Sequence, residues 1–189
     1  MSQGRLVLAT GNRHKLDEVR AILAQAWVVD ARDPGVEETG ETFEDNALLK
    51  ARAVAAQVGS VAIADDSGIE IDALGGAPGV RSARWAGGDW IPRVLRELAG
   101  VPAAERGCRY VCAAAAVWPS GRELVVRGTV GGRIPEAPRG TGGFGYDPIM
   151  VPTEGDGRTF AEMSVAEKHA LSHRGRAFRA LGELLRRHT

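Results

Sequence analysis

Arg5-Leu6-Val7-Leu8-Ala9-Thr10-Gly11-Asn12-Arg13-His14-Lys15-Leu16 is the stretch from which the fold of this chain can be read. Its first five residues form a short apolar run, halted by Thr10-Gly11-Asn12, and read as a buried strand. Leu16, Val19, Leu23 and Ala26 follow at helical spacing, which predicts an amphipathic helix from Arg13 to about Gln25. Trp27 to Val29 predicts a second strand. Strand, glycine turn, helix and strand in this order open an α/β domain.

The alternation continues along the chain. Residues 31–41 are rich in Gly, Pro, Asp and Glu and read as a loop. Thr42 to about Val58 is alanine-rich and helical, with Thr42 as N-cap and acidic residues in the first turn. Val61 to Ala64 is a predicted strand that runs into Asp65-Asp66-Ser67-Gly68, where Ser67-Gly68 is turn-like. Gly75 to Gly88 is a long connection, and Asp89 to Ala99 a short helix. Arg109 to Trp118 and Glu123 to Val130 flank Pro119-Ser120-Gly121 as a hairpin. A second glycine-dense loop, Gly140 to Pro148, precedes a strand at Ile149 to Val151. Ser164 and Glu167 form a capping box, and Ser172 caps a last helix to about Arg187. No repeat, low-complexity run or linker interrupts the 189 residues, so residues 1–189 read as a single α/β domain with a mixed sheet.

Charge narrows the function classes. The formal net charge is zero and no basic stripe is visible, which argues against a nucleic-acid partner and against an anionic membrane surface. No apolar stretch approaches the roughly 20 residues that span a bilayer, and the first residues lack a signal peptide's apolar core. Cys108 and Cys112 would lie roughly 13 Å apart on one face of a strand, too far to bridge each other, and fit a reducing cytoplasm. Any anionic ligand must be held by a local cluster. Only three of the 24 cationic side chains are lysines, and Lys15, Lys50 and Lys168 each sit in a segment suited to holding phosphate. A lysine ammonium is a compact point charge that serves single phosphate oxygens well.

Five places could carry chemistry. The Thr10-to-Lys15 junction puts free N–H groups and a helix dipole at a strand's carboxyl end, an anion-binding arrangement without the Walker sequence. Asp65 and Asp66 lie at the end of a buried strand, where a divalent ion or an attacking water belongs; successive strand residues point to opposite faces. Glu37-Glu38 could supply a second oxygen ligand or be a solvated loop. Ser172-His173-Arg174 places cations in a helix's first turn, against the macrodipole, so something anionic should compensate. Phe144-Gly145-Tyr146-Asp147 offers an aromatic face and acceptors to a planar heterocycle, although Phe144 and Tyr146 could equally be core.

The ordered set Thr10-Gly11-Asn12-x-x-Lys15, Glu37-Glu38-Thr39-Gly40, Glu44-x-Asn46-Ala47-x-x-Lys50-Ala51, Asp65-Asp66-Ser67-Gly68, Gly75-Gly76-Ala77-Pro78-Gly79 and Ser82-Ala83-Arg84 resembles one family, as do Gly142 to Pro148, Glu167-Lys168 and Ser172-His173-Arg174-Gly175. It is the inosine triphosphate pyrophosphatase family, of the Ham1/RdgB type. The resemblance implies Mg²⁺-dependent hydrolysis of a small-molecule purine nucleotide, ITP, dITP or XTP, to monophosphate and pyrophosphate. It also implies a homodimer and a long mixed central sheet flanked by helices, with two lobes around a nucleotide cleft. Carried over, Asp66 would be the general base and a metal ligand, and Glu37 the other ligand, with Glu38 next door as a possible confusion. Thr10, Gly11, Asn12, Arg13, His14 and Lys15 would cradle the phosphates with help from Lys50, and Ser67 would contact the substrate. Phe144, Gly145, Tyr146, Asp147, Lys168, His173 and Arg174 would shape the base pocket, His173 and Arg174 donating to a 6-keto oxygen. Two alternatives remain: a pyrophosphatase of other modified nucleotides, and a purine sensor that does not hydrolyse.

Overall fold

The computed structural model describes residues 4–85 and 87–187. The element order is β1 (Gly4–Ala9), α1 (Arg13–Leu23), β2 (Trp27–Arg32), α2 (Phe43–Val58), β3 (Ala62–Ile71), α3 (Trp90–Glu97), β4 (Gly107–Val117), β5 (Glu123–Arg133), β6 (Val151–Pro152), α4 (Val165–Leu171) and α5 (His173–Arg186). The strands form a six-stranded sheet in the order β2-β1-β3-β4-β5-β6. β1 runs parallel to both β2 and β3, whereas β5 and β6 are antiparallel, so the sheet is mixed as the alternation of elements predicts. No described helix is long and apolar enough to cross a membrane.

The chain divides into two compact units, each assembled from separated segments: residues 1–66, 112–128 and 174–189 in the first, and 67–111 and 129–173 in the second. β3, β4 and β5 contribute residues to both, which is why no linker is visible in the sequence.

In the first unit, Val19 and Leu23 of α1 and Ala177, Phe178, Leu181 and Leu185 of α5 pack with Leu6, Leu8, Val29, Ile63, Cys112, Ala114 and Ala116. The strand residues in this set alternate along their strands, which identifies one face of the sheet. α2 begins at the Thr42 cap, whose side chain accepts from the Asp45 N–H, and ends at Gly59 with φ 62°. It buries Phe43, Ala47, Ala51, Val54 and Ala55.

In the second unit, Ile69, Ile71, Val94, Leu98, Tyr110, Val130, Ile149, Met150 and Phe160 form a separate core. Both cysteines are buried and neither forms a disulfide, as their separation on one strand predicts. Burial pushes the Cys108 thiol up to about 12, helped by Asp72, so it stays protonated.

Three sequence expectations change. β3 does not stop at Ala64 for a turn; it continues through Asp65, Asp66, Ser67 and Gly68 to Ile71. Buried residues on both sides of the pair keep the backbone in the sheet, and this overrides the local turn preference of Ser-Gly. The second strand is longer than Trp27 to Val29, since β2 pairs with β1 in register as far as Arg32. The last strand shrinks to Val151–Pro152, because Asp147–Ile149 closes a 3₁₀ turn.

Candidate functional site

β3 splits the two aspartates. Asp65 is in phase with Ile63 and so leaves on the face packed by α1 and α5, while Asp66 leaves on the opposite face. Both are buried, at 1% and 5% exposure, and buried carboxylates need partners.

Asp65 meets two cations. Lys15 Nζ lies 3.1 Å from its Oδ2, and Arg174 donates to the same oxygen from Nη2 at 3.1 Å and from Nε at 3.3 Å. Arg174 also donates from Nη1 to Glu18 Oε2 at 2.6 Å. These two carboxylates are the anions that the first turn of α5 requires against its dipole. Burial alone would pull the guanidinium pKa down, but Asp65 and Glu18 hold it above the usual arginine value.

Asp66 meets α2. Asn46 Nδ2 donates to Oδ2 at 3.0 Å, and Lys50 Nζ stands 3.6 Å from Oδ1. Lys50 also donates to Glu38, so one ammonium is shared by two carboxylates. Burial raises the Asp66 pKa above the ordinary aspartate value, against the opposing pull of Lys50 and Lys15. Burial would lower Lys50, but Asp65, Asp66 and Glu38 together raise it, so the lysine stays charged. A carboxylate that ionises less readily than usual, close to a permanent cation, suits a proton acceptor working near neutral pH.

The segment expected to cradle phosphates lies between β1 and α1. Thr10 Oγ1 accepts from the Asn12 N–H at 3.0 Å, and Asn12 Oδ1 caps the helix by accepting from the Lys15 N–H at 3.3 Å. Gly11, Asn12, Arg13 and His14 are exposed and Lys15 is half-buried. In the acidic loop Glu37 is exposed, whereas Glu38 is half-buried on Lys50. Among the described residues no three His, Cys, Asp or Glu side chains gather into a metal cage. Two carboxylates converging on a single cation, Asp66 and Glu38, do fit a small hard divalent ion that takes its other oxygens from phosphates and water.

The second unit holds its own buried cluster around Asp147. Lys168 Nζ donates to Oδ2 at 2.5 Å, the Phe144 N–H donates to Oδ2 at 2.7 Å, and the Tyr110 hydroxyl donates to Oδ1 at 3.2 Å. Lys168 Nζ also lies 4.8 Å from the centroid of the half-buried Phe144 ring. The His173 ring is 4.5 Å from that of Tyr110. Burial raises the Tyr110 pKa well above normal, reinforced by the Asp147 charge, so its hydroxyl stays a donor. Gly143 must be glycine here: its φ is 68°, and a Cβ would run into Asp147 Oδ2.

Of the residues predicted for the base pocket, Phe144, Asp147, Lys168 and His173 belong to this second cluster. Tyr146 is core, since its hydroxyl donates to the Ser82 carbonyl at 2.8 Å and its ring packs 6.0 Å from Trp90. Gly145 is half-buried with φ 63°, and Ser67 is a half-buried residue of β3. Arg174, expected to read the base, instead turns its guanidinium to Asp65 and Glu18 and is only 2% exposed. Three residues with clear roles here carried none in the sequence reading, Glu18, Asn46 and Tyr110, and Asp65 was read there only as one of a pair. Asn46 and Asp65 stood inside quoted motifs. Nothing in the sequence distinguished Tyr110 from its core neighbours Cys108 and Cys112.

Known proteins match this chain in sequence and in fold. A model of the Ham1 family matches residues 6–184. The chain is 56% identical over 184 residues to a dITP/XTP pyrophosphatase of Symbiobacterium thermophilum, covering 94% of this chain and 92% of that protein. It is 51% identical over 195 residues to a dITP/XTP pyrophosphatase of Streptomyces coelicolor, covering 96% and 97%. Among solved structures, a HAM1 protein from Coxiella burnetii superposes with a TM-score of 0.86 at 37% identity, over 98% of this chain and 100% of that one.

Proposed function

We infer the function from one premise: this chain belongs to the Ham1 family. The reaction we assign to it is hydrolysis of non-standard purine nucleoside triphosphates, dITP, XTP and ITP, to the monophosphate and pyrophosphate. The relatives named dITP/XTP pyrophosphatase support it, and one structural observation carries it. That observation is the division of Asp65 and Asp66 between the two faces of β3, with Asp66 and Glu38 sharing Lys50.

In this reading the triphosphate meets the cluster of the first unit. Thr10 to Lys15 and Lys50 offer donors and positive charge to its oxygens, and the two lysines offset the charge that grows on the departing pyrophosphate. Asp66 takes a proton from the water whose oxygen attacks the α-phosphorus; the bond to the bridging oxygen breaks and pyrophosphate leaves with its electron pair. Asp66 and Glu38 would hold Mg²⁺, which when bound supplies further charge relief to the phosphates. Asp65, itself held by Arg174, keeps Lys15 in place from the other face of the strand, so the task of Arg174 is positioning rather than base recognition.

Recognition of the base is assigned to residues around Asp147. Phe144 gives the purine a flat face, and His173 with the Phe144–Asp147 loop would give donors to a 6-keto oxygen. Adenine carries a 6-amino donor there and would leave such donors unpaired, a strong ground for rejection. The same reading carries a homodimer, which sedimentation would report as twice the 20.0 kDa of the chain.

The test is pyrophosphate release from ITP, dITP, XTP, GTP and ATP, each with Mg²⁺ and again with EDTA. Mg²⁺-dependent release confined largely to the first three is expected. Binding of ITP without release from any of the five would make the protein a sensor and overturn the reading.

A further inference from the structure

Asn46 is the least expected residue of α2. It is 0% exposed, on a helical face whose other buried members include Phe43, Ala47, Ala51, Val54 and Ala55. Asparagine is a poor helix former, and a buried amide is costly unless its hydrogen bonds are made. An aliphatic side chain would serve packing better at this position.

Each hydrogen bond that the amide makes goes to the site. Oδ1 accepts from the Gly40 N–H at 2.8 Å, and Nδ2 donates to Asp66 Oδ2 at 3.0 Å and to the Gly40 carbonyl at 3.4 Å. The Gly40 N–H can only donate, so the atom facing it must be the amide oxygen, which turns Nδ2 toward the carboxylate. Lys50, one helical turn further along α2, faces the other carboxylate oxygen, Oδ1. α2 thus distinguishes the two oxygens of Asp66, one held by a neutral donor and the other facing a cation. Gly40 also stands two residues beyond Glu38 and packs tightly, since a Cβ there would come within 2.7 Å of Asn46 Oδ1. One side chain therefore fixes the carboxylate on β3 and the loop that brings Glu38 to Lys50.

We propose that Asn46 is a positioning residue for hydrolysis, holding Asp66 by Oδ2 so that Oδ1 is presented to the reaction, and tying the Glu38 loop to the same carboxylate. The inference rests on the proposed function above. Its distinguishing feature is the donor to Asp66: securing the loop needs an acceptor for the Gly40 N–H, whereas securing Asp66 needs the amide N–H.

Two variants separate these roles. Asn46→Asp keeps size and the acceptor for Gly40 but loses the donor to Asp66, and Asn46→Ala loses both. With dITP and Mg²⁺, each should lower kcat by about 100-fold, the loss expected when a reacting group is misplaced by about 1 Å. For Asn46→Ala, affinity for a non-hydrolysable α,β-imido analogue of dITP should change by less than about threefold, an order of magnitude below the kcat effect. Melting temperatures measured alongside identify a variant that fails to fold, and Asn46→Ala then decides alone through its split between kcat and analogue affinity. Asn46→Asp with wild-type kcat, or an Asn46→Ala defect confined to analogue affinity, would overturn the inference and leave Asn46 a loop anchor. A wild-type protein that released no pyrophosphate from dITP, ITP or XTP would instead bring down the proposed function, and this inference with it.

Discussion

Each unit buries a cluster of charge, and the two are wired differently. In the first, the carboxylates of Asp65 and Asp66 are met by cations from three separate helices: Lys15 on α1, Lys50 on α2 and Arg174 on α5. In the second, Asp147 is met by one lysine, a tyrosine hydroxyl and a backbone N–H three residues before it. Lysines on flexible stems can exchange a carboxylate for a phosphate oxygen, and the Lys15 side chain keeps 16% of its surface exposed. A backbone N–H and a hydroxyl cannot move in that way, and the Lys168 side chain is 6% exposed. The contrast is between a cluster suited to changing partners during a reaction and one suited to keeping a loop in a single shape.

Asp66→Asn attacks the first cluster at the residue proposed as proton acceptor and should have the largest effect. Turnover of dITP is expected to fall by about 10³-fold, within the range of a lost general base, while nucleotide binding stays measurable. Turnover within about tenfold of wild type would remove Asp66 from the mechanism.

Arg174→Ala comes next, because it strips a shared cation from Asp65 and Glu18. A loss of about 3–5 kcal/mol in unfolding free energy is expected, the usual cost of orphaning buried ion-pair partners. The ratio of ITP to ATP turnover should stay unchanged in this variant. A narrowed ratio would return the base-reading role to Arg174.

A matched pair of lysine variants sharpens the contrast between the clusters. Lys168→Met should cost about 3 kcal/mol in denaturant titrations, since Asp147 loses its cation. Lys15→Met should cost less than about 1 kcal/mol, because its side chain is partly exposed and Asp65 keeps Arg174, yet should lower kcat/KM for dITP. Equal stability losses would erase the distinction drawn between the two clusters.

Much of this was legible in the sequence, for physical reasons. Apolar period and helix caps located β1, α1, α2 and α5 within a few residues, because burial and capping are local signals. The opposite-face rule alone separates Asp65 from Asp66. The reading failed where tertiary pairing overrode local preference, as in the continuation of β3 through Ser67-Gly68. It also gave no sign that Arg174 meets Glu18, which lies 156 residues away along the chain with no spacing rule to link them. Glu38 and Glu37 differ only in which way a loop residue points, and the loop has no period from which to read direction.

The smallest effect concerns pH. Burial raises the folded-state pKa of Asp66, so in metal-free protein its contribution to stability is present at acid pH and lost as pH rises through that value. Asp66→Asn does not titrate at this position, so it should gain stability relative to wild type as pH is raised from the acid side toward neutrality. A relative loss over the same interval would mean that the Lys50 cation, not burial, governs this carboxylate.

What separates a water-activating cluster from one that merely binds nucleotide is the fate of the solvent oxygen. Hydrolysis of dITP in ¹⁸O-labelled water, followed by mass spectrometry of both products, reads it directly. Attack on the α-phosphorus by a water that gives its proton to Asp66 predicts label in the monophosphate and none in the pyrophosphate. Label in the pyrophosphate would place the attack on the β-phosphorus and contradict the mechanism built around this cluster.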